Sequence, residues 1–112
     1  MRDGAAIWVV FVTAPAKEAS ALSKSLVEEG LVACVNINET IRSIYAWEGK
    51  ICEDNESLLV MKTVADKFNE LQQRIQSLHS YDTPEIIAVP AAAVSNDYAK
   101  WVRDVVGEGD SK

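Results

Sequence analysis

The sequence is poor in the residues that staple a chain, anchor it in lipid or draw it to nucleic acid. Its 112 residues include only two cysteines, Cys34 and Cys52. A small secreted domain held by disulfides usually carries more, so both are read as reduced thiols. Their spacing about a Trp47–Lys50 turn would make them near cross-strand neighbours, so a bridge is set aside on compartment and not on geometry. No apolar run reaches the roughly 18 residues that a membrane span requires. The run from Ala5 to Val12 is short and has no convincing small-residue cleavage site after it. It reads as a buried strand and not as a signal peptide, which favours the cytoplasm. Positive charge is also scarce: 11 Lys and Arg stand against 17 Asp and Glu, a net charge of −6. That argues against nucleic acid as a partner, where a basic patch supplies most of the affinity. Missing too are a glycine-rich phosphate loop, a Gly-x-Ser-x-Gly elbow, a His-Glu-x-x-His pair and a Cys-x-x-Cys pair. The chain therefore reads as an assembling binding or regulatory module and not as an enzyme. A Cys34–His79 nucleophile pair is arithmetically possible, but Cys34 falls early on a strand with no sign of activation.

What the sequence does have is 48% apolar residues, enough for one core in a single domain over 1–112, with ordered residues about 6–106. Ile7 to Thr13 is apolar on both faces and suits a central strand. Pro15 opens a helix in which Ala19, Leu22 and Leu26 fall at helical spacing, and Gly30 ends it as a left-handed cap. Leu31 to Tyr45 is a long strand in which Val35, Ile37, Ile41 and Tyr45 share one parity. Glu48-Gly49 marks a turn, and a second long strand runs from Lys50 to Thr63. Thr63 and Asp66 have the spacing of an N-cap and its third helical residue. The helix after them carries Phe68, Leu71, Ile75 and Leu78 on one side and stops near His79. Glu85 to Val89 is a short strand closed by Pro90. Ser95 or Asn96 caps a last helix with Tyr98, Trp101, Val102 and Val105 as its buried stripe. Gly107 to Lys112 should fray.

The order is β-α-β-β-α-β plus a helix. It predicts an α+β, ferredoxin-like domain with an antiparallel sheet and two helices on one face. Two strands of about 13 residues would each reach roughly 43 Å, while a globule of this length is roughly 34 Å across. The first helix covers only about 21 Å. The hairpin should therefore overhang its helices. Its far end carries Ile41, Ile44, Tyr45, Trp47 and Ile51, which another subunit would cover. The alternative is a bend or bulge that folds the hairpin back on itself.

Several segments carry a family pattern. They are Thr13-Ala14-Pro15, Leu31-Val32-Ala33-Cys34-Val35-Asn36-Ile37, Tyr45-Ala46-Trp47-Glu48-Gly49-Lys50, Lys62-Thr63, His79-Ser80-Tyr81-Asp82-Thr83-Pro84-Glu85 and the final Tyr98 and Trp101. In this order and spacing, from about Ile7 to Val105, the chain resembles the CutA family of divalent-ion-tolerance proteins. The resemblance implies a tight homotrimer joined through sheet edges and the long hairpin, with Tyr45 and Trp47 at the interface. It also implies a link to tolerance of copper and other divalent metals, and an architecture like that of the nitrogen-regulatory PII trimers. Animal relatives are linked to the anchoring of acetylcholinesterase.

The matched positions supply the candidate site residues. His79 is a candidate copper or divalent-metal ligand; its plainer role is a helix-end histidine that bonds carbonyls. Cys34 is a candidate soft ligand, three copies of which could meet in a trimer; its plainer role is a small buried hydrophobe. Some copper-binding bacterial members of the family carry a cysteine where this chain has Val12, and some also a second histidine where it has Leu78; these departures remove the softest ligands of that site. Cys52 matches no motif. Lys62, Tyr81, Thr83 and Glu85 lie at element boundaries and could line a cleft for a small ligand, where Lys62 would take an anion and Glu85 a cation or amine. The plainer reading is a Lys62–Glu85 ion pair with Tyr81 anchoring the turn. Two functions result: a trimeric metal-tolerance protein, or a PII-like small-ligand or scaffold trimer without specific metal binding.

Overall fold

The computed structural model describes residues 3–107. The expected fraying of the C-terminal tail lies, beyond Gly107, outside the described residues. The elements run β1 (Ile7–Ala14), α1 (Ala16–Glu28), β2 (Cys34–Trp47), β3 (Lys50–Val64), α2 (Phe68–Leu78), β4 (Ile86–Pro90) and α3 (Asn96–Val105). The strands form one sheet in the order β2-β3-β1-β4 with every pairing antiparallel, as the ferredoxin-like reading requires.

Period-two alternation decides the two faces of the sheet. Val10, Val12 and Ala14 of β1 and Leu59 and Met61 of β3 point one way and are fully buried. They pack under Ala19, Leu22 and Leu26 of α1 and Leu71 and Ile75 of α2. Leu78, expected on the same stripe, is exposed. At the end of α1, Gly30 sits at φ 73°. Its N–H bonds the Val27 carbonyl and the Leu31 N–H bonds the Leu26 carbonyl, the paired closure that stops a helix at a left-handed residue. Leu26 and Leu31 then meet in the core.

The helix-capping expectations need correction. Thr63 does not cap α2. It lies near the end of β3, fully buried, and its hydroxyl donates to the Leu31 carbonyl at 2.7 Å. Ser95 precedes α3 but makes no side-chain cap bond. The buried stripe of α3 is Ala99, Val102 and the following Val106, packed on Ile7 and Val64 at one end of the second sheet face. Tyr98, Trp101 and Val105, expected inside, are exposed, and the Tyr98 and Trp101 rings lie 5.6 Å apart.

Beyond α3, no element covers that second face among the described residues. Pairings of Phe11 with Val60 and Ile87, and of Val9 with Lys62 and Val89, put these side chains on it. Ile87 and Val89 are 51% and 42% exposed.

The hairpin outruns the rest of the sheet. β1 pairs with β3 only as far as Ala14 and Ser57, so Lys50–Glu56 pair with β2 alone. The principal extents are 46 × 26 × 22 Å, and a 14-residue β2 accounts for the longest at about 3.3 Å per residue. Glu48 and Gly49 both have positive φ, at 50° and 79°, the two-residue turn whose twist matches that of the strands.

The alternative of a bulge is realised as well. Asn38 pairs with Leu58 but Ile41 pairs with Glu56, so β2 holds one extra residue. The Ser57 hydroxyl donates to the Glu39 carbonyl inside that irregularity at 2.8 Å. The bulge twists the strand without folding it back, and it breaks the expected shared parity. Val35 and Ile37 face the helices, whereas Ile41 stands opposite Glu56 on the other face. The same shift governs Ser43, Tyr45 and Trp47.

Candidate functional site

The bulge shapes a cleft. Downstream of it, Ser43, Tyr45 and Trp47 of β2 look toward Glu56 of β3 and toward the loop between α2 and β4. Together with Thr13, Ile44, Tyr81, Asp82, Thr83 and Glu85 they line a cleft of about 580 Å³. Two tyrosine–carboxylate bonds organise it. The Tyr81 hydroxyl donates to Glu56 Oε2 at 2.9 Å, and the Tyr45 hydroxyl donates to Asp54 Oδ2 in a short contact. Burial first, and the bond to Glu56 second, push the Tyr81 phenol up to about 12. The Tyr45 phenol is also pushed up to about 12, chiefly by its bond to Asp54. Both therefore remain hydroxyl donors across neutral pH.

The loop is held from beneath by His79. Its ring is buried, Nε2 lies 2.8 Å from the Thr13 carbonyl, and Nδ1 accepts the Tyr81 N–H at 3.1 Å. These bonds fix the tautomer, with the proton on Nε2 donated to Thr13. The imidazole also lies against the Tyr81 ring, 4.7 Å between centroids. His79 thus ties the end of α2 to the end of β1 and sets the backbone of Tyr81.

Of the residues singled out from sequence, Tyr45, Trp47, Tyr81, Thr83 and Glu85 come together here. Lys62 does not. It pairs with Val9, while Glu85 abuts Ile86, which pairs with Val12 toward the other end of β1. No Lys62–Glu85 ion pair forms; Lys62 Nζ bonds Asn36 Oδ1 in a short contact. The antiparallel register puts the end of β3 beside the end of β4 and away from its start, the reverse of the placement expected from sequence.

Cys34 also lies elsewhere. It stands opposite Lys62 on the second sheet face, half-buried beside α3, with Sγ 3.4 Å from the Tyr98 hydroxyl. The expectation that Cys34 and Cys52 are cross-strand neighbours is wrong. Cys52 pairs with Tyr45, 11 positions along β2 from Cys34, or about 36 Å at about 3.3 Å per residue. Both thiols are free.

The arrangement within one chain does not suit a copper ion. Both ring nitrogens of His79 are engaged by backbone, and Val12 and Leu78 supply no soft donor. Among the described residues no three His, Cys, Asp or Glu side chains converge as a metal site. Within one chain, His79 and Cys34 are therefore not a preformed copper site. The residues that sequence reasoning missed are Glu56 and Asp54. Their signal was faint, since both sat in a polar stretch that reads as solvated hairpin.

Comparison with known proteins accords with the fold. The sequence profile of the CutA1 divalent ion tolerance protein family matches residues 8–105. The divalent-cation tolerance protein CutA of Thermus thermophilus is 45% identical over 100 residues, covering 88% of this chain and 97% of that protein. The chloroplastic CutA protein of Arabidopsis thaliana is 43% identical over 97 residues, covering 86% of this chain and 53% of its own length. The crystal structure of CutA1 from Oryza sativa superposes with a TM-score of 0.88 at 36% identity, covering 93% of this chain and 96% of that one. The Thermus structure gives 0.85 at 44% identity, covering 88% and 96%. The chain belongs to the CutA1 divalent ion tolerance protein family.

Proposed function

We propose that this protein acts in divalent-cation tolerance as a homotrimeric binding module, with copper among the cations it meets. The observation that carries the reading is the apolar surface left uncovered on one chain. Ile87 and Val89 on the open sheet face and Ile44, Trp47 and Ile51 on the overhanging hairpin are between 42% and 78% exposed. Self-association covers such a surface. It would also bring copies of Cys34 toward one another, because that thiol lies on the same sheet face. Of the two soft donors, Cys34 is the one not bonded to backbone, so it carries the copper reading and His79 serves the loop. The separation of Cys34 from His79 supports a binding module over an enzyme, and two free thiols suit a reducing cytoplasm. Among the described residues no helix is long and apolar enough to cross a membrane.

The test is native mass spectrometry of metal-stripped protein with and without stoichiometric copper. The expected result is a trimer that retains copper at a fixed ratio and loses it in Cys34→Ser. A monomer, or copper adducts in no fixed ratio, would overturn it.

The cleft favours a second reading, a PII-like trimer that senses a small molecule. A volume of about 580 Å³ with aromatic walls and a few polar groups has the size and character of a small-molecule site. In that reading Tyr81 and Glu85 lie inside the cleft and Lys62 outside it. A thermal-shift screen should give a hit that Glu85→Ala removes while the trimer survives.

A further inference from the structure

The class of ligand the cleft would take, a question that rests on the second reading, turns on Glu56. The residue is only 8% exposed. Its Oε2 accepts the Tyr81 hydroxyl. Its Oε1 has no donor or cation among the described residues, and the residue lines the cleft. That oxygen is not sealed from solvent, since Ser23 Oγ is the only buried side-chain polar atom without a partner among the described residues; the arrangement leaves an acid facing the cleft with no counter-charge beside it.

Nothing in the cleft of one chain supplies that counter-charge. Asp82 and Glu85 add two more acids to the lining, and no lysine, arginine or histidine is part of it. Along the hairpin, Lys62 bonds Asn36 and Arg42 pairs with Glu53 at 3.1 Å, while Lys50 stands at the tip opposite Trp47 and is not part of the lining. A recess lined by one sign of charge, with low-dielectric walls, concentrates ions of the opposite sign. Those walls are aromatic, formed by Tyr45, Trp47 and Tyr81. Aromatic faces attract alkylammonium groups through the ring quadrupole, and tryptophan does so best. A bare metal ion is served worse, because it needs several oxygen donors at about 2.0–2.6 Å and no such cluster occurs among the described residues.

We propose that the cleft binds a small organic ammonium ion, its charge set against Glu56 and its carbon substituents against Trp47 and Tyr81.

The protein, in whatever assembly it forms in solution, is titrated calorimetrically with choline, putrescine and agmatine. A parallel titration uses 3,3-dimethylbutan-1-ol, which has the shape of choline without its charge. The expected result is saturable binding of at least one ammonium compound, one per chain, with the neutral alcohol weaker than choline by about tenfold or more. Glu56→Gln keeps an acceptor for the Tyr81 hydroxyl and removes the charge. It should weaken ammonium binding about tenfold or more while leaving the unfolding temperature near that of the parent. Trp47→Ala should weaken it too, compared at equal oligomeric state by native mass spectrometry because self-association would also cover Trp47. Equal binding of choline and its neutral counterpart, or unchanged affinity in Glu56→Gln, would overturn the proposal. If the ammonium compounds fail but a nucleotide or small acid binds saturably and Trp47→Ala removes it, the cationic class falls and the small-ligand reading stands. If neither set binds, both fall.

Discussion

Replacing His79 by alanine separates the two roles this residue could have, and the structure sets the size of the effect. In metal-free protein the ring donates to the buried Thr13 carbonyl, accepts the Tyr81 N–H and lies against the Tyr81 ring. Alanine removes all three. Water can reach the exposed Tyr81 backbone. Thr13 is 8% exposed, and a buried acceptor left without its donor costs about 1–3 kcal/mol. Loss of the ring contact adds about 0.5–1.5 kcal/mol. A total of about 1.5–4.5 kcal/mol corresponds to a fall in Tm of roughly 6–18 °C for a domain of this size. His79→Asn should fall between parent and alanine, because its short amide can still accept the Tyr81 N–H two residues on but cannot reach Thr13. The assay is urea and thermal unfolding of metal-stripped protein at one fixed chain concentration, since oligomerisation makes stability concentration-dependent. The reasoning is refuted if metal-stripped His79→Ala unfolds within about 1 kcal/mol of the parent while its copper binding disappears. The ring would then be held for a metal and not for the loop.

Local geometry sets two other outcomes. Gly30→Ala places a side chain at φ 73° with open space around it, so the cost is conformational alone, about 1–2 kcal/mol, read as a lower urea midpoint with unchanged slope. The Tyr81 phenol, raised from 10 to about 12, makes the folded state hold its proton longer than the unfolded chain does. Its contribution to stability is therefore fully present below about pH 10 and is lost as pH rises through about 12. Phenolate absorbance against pH should show all three tyrosines titrating late, near 12, with one step moving earlier in Glu56→Gln; a parent titration with every tyrosine near 10 would contradict the burial of the Tyr81 phenol and its bond to Glu56.

Much of the fold was legible in the chain because it rests on local chemistry. The apolar run of β1, the Ala19–Leu22–Leu26 stripe, the left-handed Gly30 and the Glu48-Gly49 turn each state their structure through periodicity or allowed φ. Strand lengths against domain size foretold the overhanging hairpin. What the sequence could not announce is where one residue too many would be accommodated. The bulge between Asn38 and Ile41 reverses which side of β2 faces the helices, and only that reversal carries Tyr45 and Trp47 to Tyr81, Glu56 and Glu85. The strand register likewise decides that Lys62 and Glu85 lie apart, and that Cys34 and Cys52 stand at opposite ends of the hairpin. Side-chain identity by itself set the elements and their order. The pairing of strands far apart in the chain decided which of those side chains share a cleft, because register is fixed by contacts between strands and not by any residue's own preference.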